Sequence, residues 1–262
     1  MEICRDLTQW RPVRNAVVTV GSYDGVHCAH RSIIDLLNRH AAAEGGESVL
    51  ITFSPHPRMV LQGEEAFRKN FRLLTTDQEK EELLAAAGLQ NLLVLPFDAD
   101  FAALSAERFV REILVERLRV KRMVIGFNHN FGHDRQGGYE QMEAWGRQYG
   151  FAVERYPEYT VDGQAVSSSQ VRRLLQAGRV AAANRLLGYA YFINGVWQQD
   201  AFEASSGIKL RPAPGHYLTK VKVNGRYYYT VAKIDEGIRL SDLPFLKEGD
   251  NMKVRFLKEI GL

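Results

Sequence analysis

Five short apolar runs, separated by stretches of helical spacing, limit the first 188 residues of this chain to one kind of architecture. The runs are Ala16–Val20, Val49–Phe53, Leu92–Leu95, Arg122–Ile125 and Phe151–Glu154. Each is short and rich in branched residues, as buried strands are. Between them Ser32–Asn38 has helical apolar spacing, and Thr76-Asp77-Gln78-Glu79 reads as a capping box whose helix stops near Gly88. Phe109, Val110, Ile113, Leu114 and Leu118 form a further helical stripe after Ser105. Strands alternating with helices predict an α/β fold with a mostly parallel, doubly wound sheet. Such sheets bind ligands at the carboxyl ends of their strands, near the point where strand order reverses.

Residues 189–262 read differently. From His216 to Val223 the side chains alternate, Asn224-Gly225 is a type I′ hairpin signal, and Arg226–Ala232 continues as the partner strand. Met252–Leu257 is another short strand. Domain 1–188 therefore precedes a small β-rich domain, 189–262, with Gly188 closing the helix Val180–Leu187.

The chain has 262 residues and a net charge of +3, all of it contributed by residues 189–262. That excess is too small to argue for nucleic acid. Cys4 and Cys28 make neither a disulfide framework nor a metal-ligand set, so no metal ligands are assigned. The start, Met1-Glu-Ile-Cys-Arg-Asp6, lacks the apolar core of a signal peptide, and no stretch has the length of a membrane span. A reduced, cytoplasmic setting is expected; the oligomeric state stays open.

The chemistry concentrates at strand ends. Gly21-Ser22-Tyr23-Asp24-Gly25-Val26-His27-Cys28-Ala29-His30 joins the first strand to the first helix. Backbone N–H groups and the helix dipole favour phosphate there, and two imidazoles three residues apart can donate together to phosphoryl oxygens. Taken alone, a His-x-x-His pair is more often a capping or surface pair. Thr52-Phe53-Ser54-Pro55-His56-Pro57 follows the second strand, with His56 expected at the crest of a rigid loop. Gly126-Phe127-Asn128-His129 opens a polar loop after the fourth strand. Ser167-Ser168-Ser169-Gln170-Val171-Arg172 opens a helix, where hydroxyls either cap the helix or bind phosphate, and Arg172 lies one turn on.

Together the four segments resemble the signatures of one family. The first resembles the G-x-F-D-G-x-H-x-G-H of bacterial FAD synthetases, members of the nucleotidylyltransferase superfamily, with Ala29 where the family has Gly. The others resemble its T-F-x-P-H-P, G-x-[DN]-F-x-F-G and I-S-S-T-x-x-R segments, with Ser169 in place of Thr. The resemblance covers roughly residues 14–190 and implies a Rossmann-like nucleotidylyltransferase domain. It implies transfer of AMP from ATP to FMN, giving FAD and pyrophosphate, with Mg²⁺ bridging the phosphates. His27, His30 and Arg172 are then catalytic. Gly21, Tyr23, Asp24, Gly25, Phe53, His56, Asn128, Ser168 and Ser169 bind the substrates ATP and FMN. In the bifunctional riboflavin kinase/FAD synthetases a β-barrel kinase follows, bearing G-F-P-T-A-N. No Pro-Thr-Ala-Asn occurs here, although Arg211–Tyr217 resembles the family's P-A-x-G-x-Y. The tail is thus expected to be a reduced kinase-like barrel without kinase activity. Two alternatives stay open: a flavin- or nucleotide-binding paralogue with little or no turnover, and an adenylyltransferase acting on another phosphorylated acceptor.

Overall fold

A computed structural model describes residues 1–127, 138–199 and 201–261. By packing, the chain forms two units. One holds Met1–Phe71 and Asp77–Tyr159; the other holds Arg72–Thr76 and Thr160–Leu262.

The first unit is built on a six-stranded parallel sheet. Its strands are β1 (Glu2–Cys4), β2 (Ala16–Val20), β3 (Ser48–Ser54), β4 (Asn91–Pro96), β5 (Val120–Ile125) and β6 (Ala152–Arg155), in the order β1-β4-β3-β2-β5-β6. All five residues of β2 are buried, as befits a central strand covered on both faces. Its neighbours are β3, with Val20 opposite Ile51, and β5, with Val18 opposite Met123. The chain runs outward from β2 to β3 and later returns to β2's other side as β5. The switch point therefore lies between β2 and β5.

Among the described residues seven α-helices accompany the sheet: α1 (Cys28–Glu44), α2 (Pro57–Gln62), α3 (Glu64–Asn70), α4 (Asp77–Ala86), α5 (Ala99–Ala102), α6 (Ala106–Arg108) and α7 (Tyr139–Tyr149). The wider, π-type turns of Phe109–Arg117 continue α6. Along α1 the buried residues are Ile33, Ile34, Leu37 and Ala41, a single stripe. The next turn is tight: a Cβ on Gly46 would lie 2.2 Å from the Asn15 carbonyl oxygen, so only glycine fits there.

The second unit begins with a two-stranded ribbon, β7 (Thr160–Val161) and β8 (Gln164–Ala165), followed by helices α8 (Ser168–Gln176) and α9 (Val180–Leu187). Strands β9 (Phe192–Gln198), β10 (Ala201–Ala204), β11 (Gly215–Val223), β12 (Arg226–Ile234), β13 (Ile238–Leu240) and β14 (Asn251–Ile260) close into a barrel, in the order β10-β13-β12-β11-β14-β9. The β11–β12 hairpin turns at Asn224 (φ 49°) and Gly225 (φ 78°), both left-handed as a type I′ turn requires. Val171, Leu174, Leu175, Val180, Ala183, Leu186 and Leu187 of the two helices share one core with Tyr217, Val221, Val254 and Phe256 of the barrel.

The α/β class, the parallel sheet and the β-rich module match the sequence reading. Asn194–Leu210 forms strands that the sequence reading leaves unassigned. That stretch carries most of β9 and all of β10, paired from Gln198 opposite Ala201 to Gly195 opposite Ala204. Packing also draws its boundary at Tyr159, whereas motif content divides the chain at residue 188. No helix among the described residues is long and apolar enough to cross a membrane.

Candidate active site

The turn from β2 to α1 reverses direction in few residues. Tyr23 (φ 47°), Gly25 (φ 87°) and Val26 (φ 36°) are all left-handed. Such a backbone costs energy for a β-branched residue, and Val26 is fully buried, so its surroundings hold it there. Gly21 leaves room for the Tyr23 ring, which would lie 3.1 Å from any Cβ at that position.

The turn delivers a stack of three rings. His30 lies against Tyr23 at 4.3 Å between centroids and against His27 at 3.6 Å. His27 is the N-cap of α1, its Nδ1 accepting the His30 backbone N–H at 3.3 Å. A nitrogen that accepts carries no proton, so neutral His27 holds its proton on Nε2. His30 Nδ1 is buried and has no hydrogen-bond partner among the described residues. Burial first, then any proton charge on His27 and the charge of Lys80, holds His30 well below the ordinary histidine range. Burial also pushes the Tyr23 phenol upward, against a 3.3 Å hydrogen bond donated to Thr19 Oγ1. Asp24 is buried in the same turn.

The sheet brings the second motif beside the first. Gly21 N–H donates to Ile51 O at 3.0 Å, and Thr52 Oγ1 donates to Ser22 O at 3.4 Å. Phe53 packs between Phe97 and Phe101, each at 5.5 Å. His56 departs from the expected crest position. It caps α2, accepting Arg58 N–H on Nδ1 at 3.2 Å, and leans on Phe71 at 5.4 Å and Phe67 at 6.0 Å. The third motif follows β5, on the other side of β2. Gly126 and Phe127 are described; Asn128 lies outside the described residues. Phe127 is exposed, with the Arg155 guanidinium 4.9 Å from its ring centroid.

In the second unit Ser167 caps α8, accepting Gln170 N–H at 3.2 Å. Ser168 and Ser169 occupy the first turn. Arg172 Nε donates to the Arg72 carbonyl at 2.9 Å.

Ala29 is the second residue of α1 and has no left-handed backbone that would call for glycine. The departure from Gly therefore costs the turn no strain. Sequence reading missed two polar groups around the first motif. Ser32 of α1 hydrogen-bonds the Tyr156 hydroxyl just after β6. Buried Lys80 of α4 contributes to the lowering of the His30 pKa, after burial and His27. Tyr156 carries a weak signal, since it follows a strand end; Lys80 reads as one more polar residue of a helix.

A doubly wound parallel sheet whose switch point carries a histidine pair at a helix N-terminus defines an α/β domain of the nucleotidylyltransferase kind. The chain belongs to the FAD synthetase family, whose model matches residues 11–170. It is 31% identical over 247 residues to a bifunctional riboflavin kinase/FMN adenylyltransferase of Listeria monocytogenes, covering 89% of this chain and 76% of that one. Its counterpart of the same description in Pseudomonas fluorescens is 34% identical, over 91% of this chain and 78% of the relative. The Escherichia coli K12 protein of that description is 32% identical over 70% and 58%. A crystal structure described as a macrolide-efflux protein of Streptococcus pneumoniae superposes with a TM-score of 0.87 at 21% identity, over 98% of this chain and 90% of that one. That likeness concerns the fold.

Proposed function

We propose that this protein is an ATP:FMN adenylyltransferase that makes FAD and pyrophosphate. The observation that carries the reading is the His27–His30 stack at the start of α1, at the switch point and inside the family match. An FMN phosphate oxygen attacks the α-phosphorus of ATP, and the bond to pyrophosphate breaks on the opposite side. No covalent enzyme intermediate is needed, so catalysis is positioning plus charge stabilisation. His27 offers its Nε2–H. Buried His30 is neutral and gains a reason to hold a proton only when phosphate charge arrives. Tyr23, Asp24 and the glycines shape the turn that receives ATP. The loop of Phe53 and His56, with Asn128, places FMN.

The phosphate roles of Ser168, Ser169 and Arg172 rest on the family signature. Among the described residues no group of three His, Cys, Asp or Glu is placed to hold a metal ion. Mg²⁺, which the family resemblance implies, would be held by the phosphate oxygens of ATP and would supply neutralisation of phosphate charge. The reading extends to the barrel, which lacks Pro-Thr-Ala-Asn and is assigned no riboflavin kinase activity.

The test is to incubate the pure protein with ATP, Mg²⁺ and FMN and separate the products by chromatography. FAD with equimolar pyrophosphate is expected. No FAD, with ATP binding retained in calorimetry, would leave a binding protein or another phosphorylated acceptor. Riboflavin in place of FMN is expected to yield no FMN.

A further inference from the structure

Lys80 stands in the first turn of α4, where a cation opposes the helix dipole. Its side chain is only 8% exposed, and burial costs an ammonium its hydration. Its ion-pair partner among the described residues is Asp77, with Nζ 3.2 Å from Oδ1. Asp77 is 54% exposed, so the pair returns little on its own. The other Asp77 oxygen, Oδ2, accepts the Ser54 hydroxyl at 2.6 Å. Ser54 ends β3 and leads into the Pro55–Pro57 segment, and Thr52, two residues earlier, is tied to Ser22 of the histidine turn. A costly cation is thus tied through Asp77 to Ser54, in the segment assigned to FMN, and that segment is tied through Thr52 to the histidine turn.

We propose that Lys80, held by Asp77 and Ser54, is a positioning residue for phosphoryl transfer, setting fixed positive charge beside the His27–His30 stack. The proposal rests on the adenylyltransferase reading. Two anions must meet in that reaction, the FMN phosphate and the triphosphate. A charge already in place offsets their repulsion without reorganisation during the step. The rings of Tyr23 and His27 stack with His30, and the Lys80 charge from α4 adds to the lowering of its pKa. Burial chiefly, with the Lys80 charge adding to it, keeps His30 neutral until phosphate arrives.

The experiment compares Lys80→Met, Lys80→Arg and Asp77→Asn in the full chain. Three quantities are read: kcat, the KM of each substrate, and the His30 ring titration by NMR without substrate. Lys80→Met is expected to lower kcat about 10²-fold, as loss of a stabilising charge does, while changing KM far less. It moves the His30 titration to higher pH; Lys80→Arg restores the titration and most of kcat, and Asp77→Asn loses part of both. A folded Lys80→Met protein with near wild-type kcat overturns the proposal. So do equal losses in the Met and Arg variants with the His30 titration unmoved, because packing alone would produce them. Should the Met variant not fold, the Arg and Asn variants decide by the same readouts. Wild-type protein that makes no FAD overturns the underlying reading instead; the titration then reports the Lys80–His30 coupling by itself.

Discussion

His27 does two things with one ring. Its Nδ1 caps α1, and the cap fixes the proton on Nε2, where a phosphate can meet it. The two roles separate by substitution. His27→Asn supplies another capping acceptor and is expected to fold with near wild-type stability. His27→Ala loses the cap and about 1 kcal/mol. Both should lose about 10²–10³ in turnover, the usual loss for one donor to developing charge. Thermal melts and FAD assays on the two variants check this; retained turnover in the Asn variant would remove His27 from the chemistry.

His30 makes a second prediction, with a definite sign. Its folded pKa lies well below the ordinary 6.5, so below that pH the unfolded chain binds the extra proton. Stability is therefore full above about pH 6.5 and falls as pH drops toward the depressed value. Denaturation midpoints across that window should decline in wild type and flatten in His30→Ala. An unchanged slope in the variant would assign the acid sensitivity to other groups. The two histidines were legible in sequence because they share one strand-to-helix junction. The ring stack was not, since it depends on left-handed backbone at Val26, a residue whose type argues against it.

At the scale of elements, burial decided what could be read. β2 to β5 are apolar runs because both sheet faces are covered, and the sequence shows them plainly. β1 is three residues long with its side chains largely exposed, so it carries no apolar signal. α2 and α3 have six and seven residues, too few to establish a helical period. β9 and β10 stand out by no apolar run, yet they contain a tight constraint. A Cβ on Gly195 would lie 2.1 Å from the Glu203 carbonyl oxygen and 2.6 Å from the Phe202 ring. Backbone cannot give way cheaply. Gly195→Ala is expected to destabilise the barrel by about 3 kcal/mol, the upper end of overpacking costs. Gly207→Ala meets open space and should stay within about 0.5 kcal/mol of wild type. Urea denaturation of both compares them directly; equal stabilities would mean that β9 and β10 part more easily than their pairing implies.

The whole molecule is divided in a way that no stretch of sequence displays. Arg72–Thr76 leaves the first unit and packs in the second, and the chain then returns for α4. Leu73 N–H donates to Ile208 O at 2.9 Å, Leu210 N–H donates to Leu73 O at 2.8 Å, and Lys209 Nζ donates to Leu74 O at 2.9 Å. Leu74 is fully buried in the barrel-side core. α9 is fastened as firmly: Asn184 Nδ2 donates to the Phe256 and Leu257 carbonyls of β14, and Tyr191 N–H donates back to Asn184 Oδ1 at 2.7 Å. A cut after residue 188 therefore separates α8 and α9 from the strands that bury them. It uncovers Leu74, Val171, Leu175, Val180, Ala183 and Leu187, all 0% exposed in the intact chain, and leaves the Leu73 backbone without its partners. Apolar exposure on that scale drives association. Fragment 1–188 is thus expected to bind a hydrophobic dye, to self-associate in sedimentation and to melt without a sharp transition, although it holds all four family motifs. The intact chain should do none of these. A monomeric fragment with a cooperative melt and full FAD synthesis would show that motif content, rather than packing, marks the independently folding domain.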